Sequence, residues 1–164
     1  MNSLINTGED MKELNIPVSE DVLRDLRAGD NVSITGTVLT GRDAVHSFIH
    51  KNFITHQPAP DEKEFYDHIK EKLDSSFIYH CGPVMKQNEN GWECVAGGPT
   101  TSIREEPYEA DIIEEFNLAG MIGKGGMGLR TAEALKECGA VYVSAVGGAA
   151  AVAASSIKQV VDVH

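Results

Sequence analysis

A chain of 164 residues, 41% of them hydrophobic, is large enough for one core-bearing domain, and no apolar run approaches the ~20 residues of a membrane helix. Its net charge of −11, from 14 Lys+Arg against 25 Asp+Glu, speaks against nucleic acid or an anionic membrane surface as a partner. The polar start carries no basic segment followed by an apolar one, so no secretory signal is expected and cytoplasmic residence is the default expectation.

Residues 1–12 read as a flexible N-terminus and 13–164 as a single domain. Ser19 is a good N-cap with Asp21 in the first turn, and Val22, Leu23 and Leu26 form an apolar patch before Gly29 closes the helix. Residues 31–40 alternate and are β-rich, with Val32, Ile34 and Val38 inward. Gly41-Arg42-Asp43 then opens a helix bearing Val45, Phe48 and Ile49, with His46 and His50 one turn apart. A Pro-rich loop over 57–60 precedes a helix with Phe65, Ile69 and Leu73 at helical spacing. Phe77 to His80 reads as a strand, and Asn88-Glu89-Asn90-Gly91 as a hairpin turn.

After the loop from Gly97 to Arg104, Pro107 suits a first helical turn, with Tyr108, Ile112, Ile113 and Phe116 facing inward. A short strand over 119–122 leads to the glycine loop 123–128. The next helix carries Leu129, Ala132, Leu135 and Cys138 on its apolar stripe and stops at Gly139. Residues 140–146 read as a buried strand, and Gly147-Gly148 turns into the Ala-rich segment 149–157. This alternation of helix and strand indicates an α/β fold with parallel pairing.

Cys81, Cys94 and Cys138 are scattered, odd in number and without C-x-x-C spacing, which fits buried free thiols better than a disulfide framework or a cluster. His46 and His50 have helical spacing compatible with a metal, but no third ligand is evident, and no metal site is assigned to this chain.

The chemistry concentrates in two stretches. Gly97-Gly98-Pro99-Thr100-Thr101-Ser102-Ile103-Arg104 places two hydroxyls and a guanidinium on a loop whose glycines allow close approach. Its plain alternative is a turn with an N-cap and a surface arginine. Gly123-Lys124-Gly125-Gly126-Met127-Gly128 satisfies G-x-G-x-x-G between a strand and a helix. The following strand offers no Asp or Glu for a ribose, and Lys124 precedes glycine where a P-loop needs Ser or Thr. A tight turn, a nucleotide site and a small anion held by Lys124 and the next helix N-terminus remain open, the last favoured. Arg42 could serve the same anion or simply pair with Asp43.

Four motifs in order, Gly41-Arg42-Asp43-Ala44-Val45-His46, Gly98 to Arg104, Ile122-Gly123-Lys124-Gly125 and Gly147 to Ala151, resemble the beta subunit or C-terminal domain of the iron–sulfur (class I) fumarate hydratases and L-tartrate dehydratases. The resemblance runs from about residue 14 to 163. It implies a swivelling β/β/α-type single domain that supplies carboxylate-binding residues to an active site shared with an alpha subunit. Arg42, Arg104 and Lys124 would clamp substrate carboxylates. Thr100 and Thr101 would lie at the reacting carbons, with Thr100 as the catalytic base. The [4Fe–4S] cluster would belong to the alpha subunit, in an assembly of two alpha and two beta chains with a beta–beta contact. The reaction implied is reversible hydration of fumarate to L-malate, a step of the tricarboxylic acid cycle, with L-tartrate dehydration as the alternative. A non-catalytic small-anion or nucleotide-binding module is the rival of another class. Glu105 stands where such proteins commonly have Met, adding negative charge near the pocket, and relatives continue past the position of His164 through another strand region.

Overall fold

The computed structural model describes residues 11–89, 91–145, 148 and 150–160. Residues 1–10 of the N-terminus expected to be flexible over 1–12, residue 146, and Gly147 and Ala149 of the last motif lie outside them, while Lys12 already belongs to a strand. Four strands, β3 (Leu39–Gly41), β4 (Phe77–His80), β7 (Gly120–Gly123) and β8 (Val141–Ser144), form a parallel sheet in the order β3-β4-β7-β8. A second parallel pair joins β1 (Lys12–Asn15) to β2 (Val32–Thr35), and β5 (Val84–Asn88) pairs antiparallel with β6 (Gly91–Ala96).

Side chains alternate across the larger sheet, as the two-residue strand period requires. Ile78, Met121 and Tyr142 point to one core with Ile49, Phe53, Leu73, Ile112, Ile113 and Phe116. Those residues come from helices α2 (Asp43–Ile49), α3 (Lys63–Leu73) and α4 (Glu106–Phe116) and from a wide turn at His50–Ile54. Helix α5 (Leu129–Cys138) adds Ala134 to the same layer. Phe77, Ala119, Ile122, Val141 and Val143 point the other way, onto Leu14, Val18 and Leu23 beneath Val32, Ile34 and Val38. The result is three layers, β/β/α. Each large apolar side chain sealed in these cores, such as Phe77, Phe116 or Leu73, contributes about 1.5–3 kcal/mol.

Several expectations need correction. The continuous strand over 31–40 is two strands in two different sheets, separated at Gly36, where φ is 137°. Helix α1 (Glu20–Arg24) ends well before Gly29; its Leu23 is buried and Val22 is exposed. In α5 the inward face is Thr131 and Ala134, with Leu135 and Cys138 half-buried, while Leu129 and Ala132 are exposed. Strand β8 is half-buried because it is the edge of its sheet. Helix α6 (Ala150–Ser156) forms within the Ala-rich segment. The hairpin β5–β6 forms as expected, with Asn90 outside the described residues. No helix among the described residues is long and apolar enough to cross a membrane.

Candidate functional site

Parallel strands end at a common edge, and in such sheets the crevice beyond their C-terminal ends is where ligands bind. Arg42 follows β3, Cys81-Gly82 follow β4 and Lys124 follows β7. The loop after β6 is fastened across this edge by a short series of hydrogen bonds. Tyr79 Oη donates to Gly97 O at 3.0 Å, and Gly97 N–H donates to Ala150 O at 3.2 Å. Thr100 N–H donates to His80 O at 2.7 Å.

Ser102 completes the join. Its N–H donates to Lys124 O at 2.9 Å, and its Oγ accepts the Lys124 N–H at 3.1 Å. Thr101 and Lys124 thus meet as one rung of parallel ladder. Tyr142 Oη sits 3.0 Å from Ser102 Oγ and accepts the Gly126 N–H at 3.2 Å. Gly123 is required here by space: a Cβ would stand 1.9 Å from Ser102 Oγ and 3.0 Å from His80 Nδ1. Gly125 and Gly126, at φ of 82° and 80°, make the turn that leaves Lys124 at the edge. Residues Ser102–Glu105 then form one 3₁₀ turn that presents Arg104.

The structure therefore joins Thr100, Thr101 and Lys124 through backbone bonds, and places Arg42 and Arg104 on flanking segments of the same edge. Arg42 lies over Gly82, where a Cβ would be 2.6 Å from its Cδ. Arg42, Arg104 and Lys124 are exposed, and among the described residues none has an ion-pair partner. Arg42 does not pair with Asp43. Thr100 and Thr101 are half-buried, and among the described residues neither hydroxyl has a hydrogen-bond partner.

One expectation for the glycine loop fails. The N-terminus of α5 is already occupied by the protein's own anion: Glu106 Oε2 accepts the Gly128 N–H at 2.7 Å and the Thr131 hydroxyl at 2.7 Å, and Oε1 accepts the Thr131 N–H at 3.3 Å. Burial opposes ionisation of Glu106, but these donors hold its carboxyl below the ordinary range. A ligand phosphate or carboxylate would meet that charge, so the helix N-terminus is not the anion site. Lys124, at the other end of the loop, is clear of it.

The histidines also depart from the helical-spacing reading. His50 Nε2 is 2.8 Å from Asp111 Oδ2, and Asp111 is also bound by Arg130. His46 belongs to a separate, fully buried cluster with His80, Glu105 and Glu109. Glu109 Oε2 lies 3.1 Å from both His46 Nε2 and His80 Nε2; the His80 contact is aligned as a hydrogen bond, the His46 contact only as a charge pair. His46, His80 and Glu109 each offer a ligand atom within 4.8 Å of the others, so the third candidate ligand missing from the sequence is supplied by folding, and it is not His50.

Burial works against a charged His46, but the Glu109 carboxylate and then Glu105 more than reverse this and raise its pKa. Burial also works against a charged Glu109, yet the two imidazoles draw its pKa down to about 2. Glu105 is the misfit. Both its oxygens lack a hydrogen-bond partner among the described residues, Oε2 lies 3.7 Å from His46 Nδ1, and burial pushes its pKa up. The negative charge expected near the pocket is instead a fully buried carboxyl beneath this edge. Glu105→Met is therefore expected to raise stability by about 1 kcal/mol at pH 7, read as a higher Tm, because a carboxyl with no hydrogen-bond partner is costly to bury. A lower Tm would mean that attraction to His46 outweighs that cost.

The family model described as Fumarase C-terminus matches residues 4–164. The chain is 47% identical over 148 residues to a Geobacillus stearothermophilus protein named "Putative fumarate hydratase class I", covering 90% of this chain and 26% of that protein. It is 35% identical over 153 residues to the L(+)-tartrate dehydratase subunit beta of Escherichia coli K12, covering 93% of this chain and 70% of that one. The chain thus spans about a quarter of the first relative and over two thirds of the second. With nearly its whole length matched, the chain belongs to the fumarase C-terminus family.

Proposed function

We propose that this chain is the carboxylate-clamping beta part of a hydro-lyase that adds water reversibly to fumarate to give L-malate, working with an alpha subunit. The observation that carries this reading is the set of exposed, unpaired cations, Arg42, Lys124 and Arg104, on one edge of an acidic domain whose relatives are named fumarate hydratase and tartrate dehydratase. A dicarboxylate needs two cationic grips, and an edge open to solvent needs a second surface to close it.

The chemistry follows from the clamp. In the dehydration direction, a C–H beside a carboxylate loses its proton and negative charge builds on that carboxylate. Fixed guanidinium and ammonium groups there stabilise the transition state more than the ground state. The guanidinium fork matches a carboxylate through two N–H donors, and Lys124 supplies a compact charge. Thr100, half-buried with its hydroxyl unengaged among the described residues, would take the proton, and neighbouring cations would lower its pKa for that role. Thr101, its backbone paired with Lys124, would orient the substrate.

The [4Fe–4S] cluster does not fit this chain's own residues. Cys81 and Cys94 are buried, Cys138 is on α5, and among the described residues the one grouping of three possible ligands contains no cysteine. Burial raises the thiol pKa of Cys81 and Cys138, which disfavours the thiolate a cluster needs. We assign the cluster to the alpha subunit.

L-tartrate is the second reading, favoured by the larger share of the tartrate dehydratase subunit that the chain covers. An anaerobic turnover assay of the chain purified with its partner, on fumarate and on L-tartrate, decides between them. Fumarate hydration is expected, with no turnover by the isolated chain. Turnover of neither compound, with tight NADH or ATP binding by the chain alone, would replace the lyase by a binding module.

A further inference from the structure

We propose that Glu109 is a positioning residue of the dicarboxylate clamp: one buried carboxylate joins the three segments that carry Arg42, Thr100 and Arg104. This rests on the clamp reading above.

The connections run outward from Glu109 Oε2. On one side it faces His46 Nε2 at 3.1 Å, and the same ring's Nδ1–H donates to Arg42 O at 3.2 Å. That carbonyl also accepts the His46 backbone N–H at 3.1 Å, so Arg42 is held at the entry to α2 by two donors from one residue. On the other side Oε2 accepts from His80 Nε2 at 3.1 Å. The carbonyl of His80 receives the Thr100 N–H, and two residues further on Gly82 supports the Arg42 side chain. Glu109 itself stands one turn into α4, the helix that Arg104 and Glu105 lead into.

The two imidazoles meet edge to face, with centroids 5.2 Å apart, and the whole group is sealed from solvent. Nothing in it can touch a substrate. Its effect on chemistry must pass through the backbone of Arg42 and Thr100. A carboxylate that accepts from one imidazole and pairs with the second when that ring is protonated fixes their separation more tightly than a neutral amide would. Loss of that tie lets Arg42 drift, and about 1 Å of drift at a clamp costs ~100-fold in rate.

The test is a double-mutant cycle on the assembled, cluster-loaded enzyme. Glu109→Gln keeps the shape and one acceptor for His80 but removes the charge facing His46. Alone it is expected to lower kcat/KM ~10- to 100-fold. Combined with Arg42→Ala it should cost little beyond Arg42→Ala alone, since the two act on one element. Combined with Lys124→Ala, which has no bond to this cluster, its effect should multiply. Glu109→Asp, which retains the charge at shorter reach, should recover part of the loss, and it carries the same cycle if the Gln variant does not assemble. Multiplicative losses with Arg42→Ala, or an unchanged kcat/KM in both Glu109 variants, would overturn the proposal. Absence of wild-type turnover on either dicarboxylate would instead overturn the lyase reading, which keeps the two failures apart.

Discussion

Arg104→Ala is expected to lower kcat/KM of the assembled enzyme ~100- to 1,000-fold, the scale of removing a preorganised charge at a developing anion. The fall should appear mainly in kcat, because a cation aimed at the carboxylate that gains charge matters most in the transition state. The protein itself should barely notice. Arg104 is exposed, and its side chain has no ion pair among the described residues. Its turn is held by backbone, with the Arg104 N–H reaching Thr101 O at 3.4 Å. Truncation therefore leaves no buried group unpaired, and stability should stay within about 0.5 kcal/mol of wild type. Arg104→Lys should recover only part of the loss, since a point charge cannot reproduce the two-pronged grip. Steady-state kinetics with a size-exclusion check of assembly measures all of this. Near-normal turnover by Arg104→Ala would remove Arg104 from the clamp.

The layers were legible where local and global signals agree. Helix α4 carries apolar residues at helical spacing, β4 is an unbroken apolar and aromatic run as a strand packed on both faces must be, and the motif loops fall where a strand ends. Three things were not legible, each for a stated reason. The split at Gly36 depends on which sheet each half joins, while residues 31–40 read as one β-rich run through it. Leu129 reads as apolar stripe by spacing, yet the first turn of α5 rests on the Glu106 cap and leaves it exposed. The buried cluster draws His46, His80 and Glu109 from α2, β4 and α4, so no sequence spacing announces it. A signal did exist. His46 lies within the Gly41 motif and His80 ends a strand of otherwise apolar and aromatic residues, and a histidine in such a place must find a partner once buried.

That partner sets the second large expectation, a loss of about 3–5 kcal/mol for Glu109→Ala, the cost of removing one member of a buried pair. The His80 N–H would lose its acceptor, and His46 would lose the carboxylate that chiefly offsets burial in favouring its charged form. On a domain of this size the loss lowers Tm by roughly 10 °C. Its pH dependence distinguishes lost charge pairing from a simple cavity. The folded pKa of Glu109 is depressed from 4.5 to about 2, so its contribution is fully present above 4.5 and disappears as pH falls towards 2. His46 has a folded pKa raised above 6.5, so its contribution is fully present below 6.5 and is lost as pH rises through the folded value. The gap between wild type and Glu109→Ala should therefore be widest from about pH 4.5 to 6.5, and narrow on both sides. Glu106, Asp111 and Glu115 are depressed as well, so they weaken both proteins in acid and cancel in the difference. Thermal unfolding of the two proteins from pH 3 to 9 reads the gap directly. A gap that stays flat across that range would mean Glu109 fills space among the imidazoles without holding them by charge.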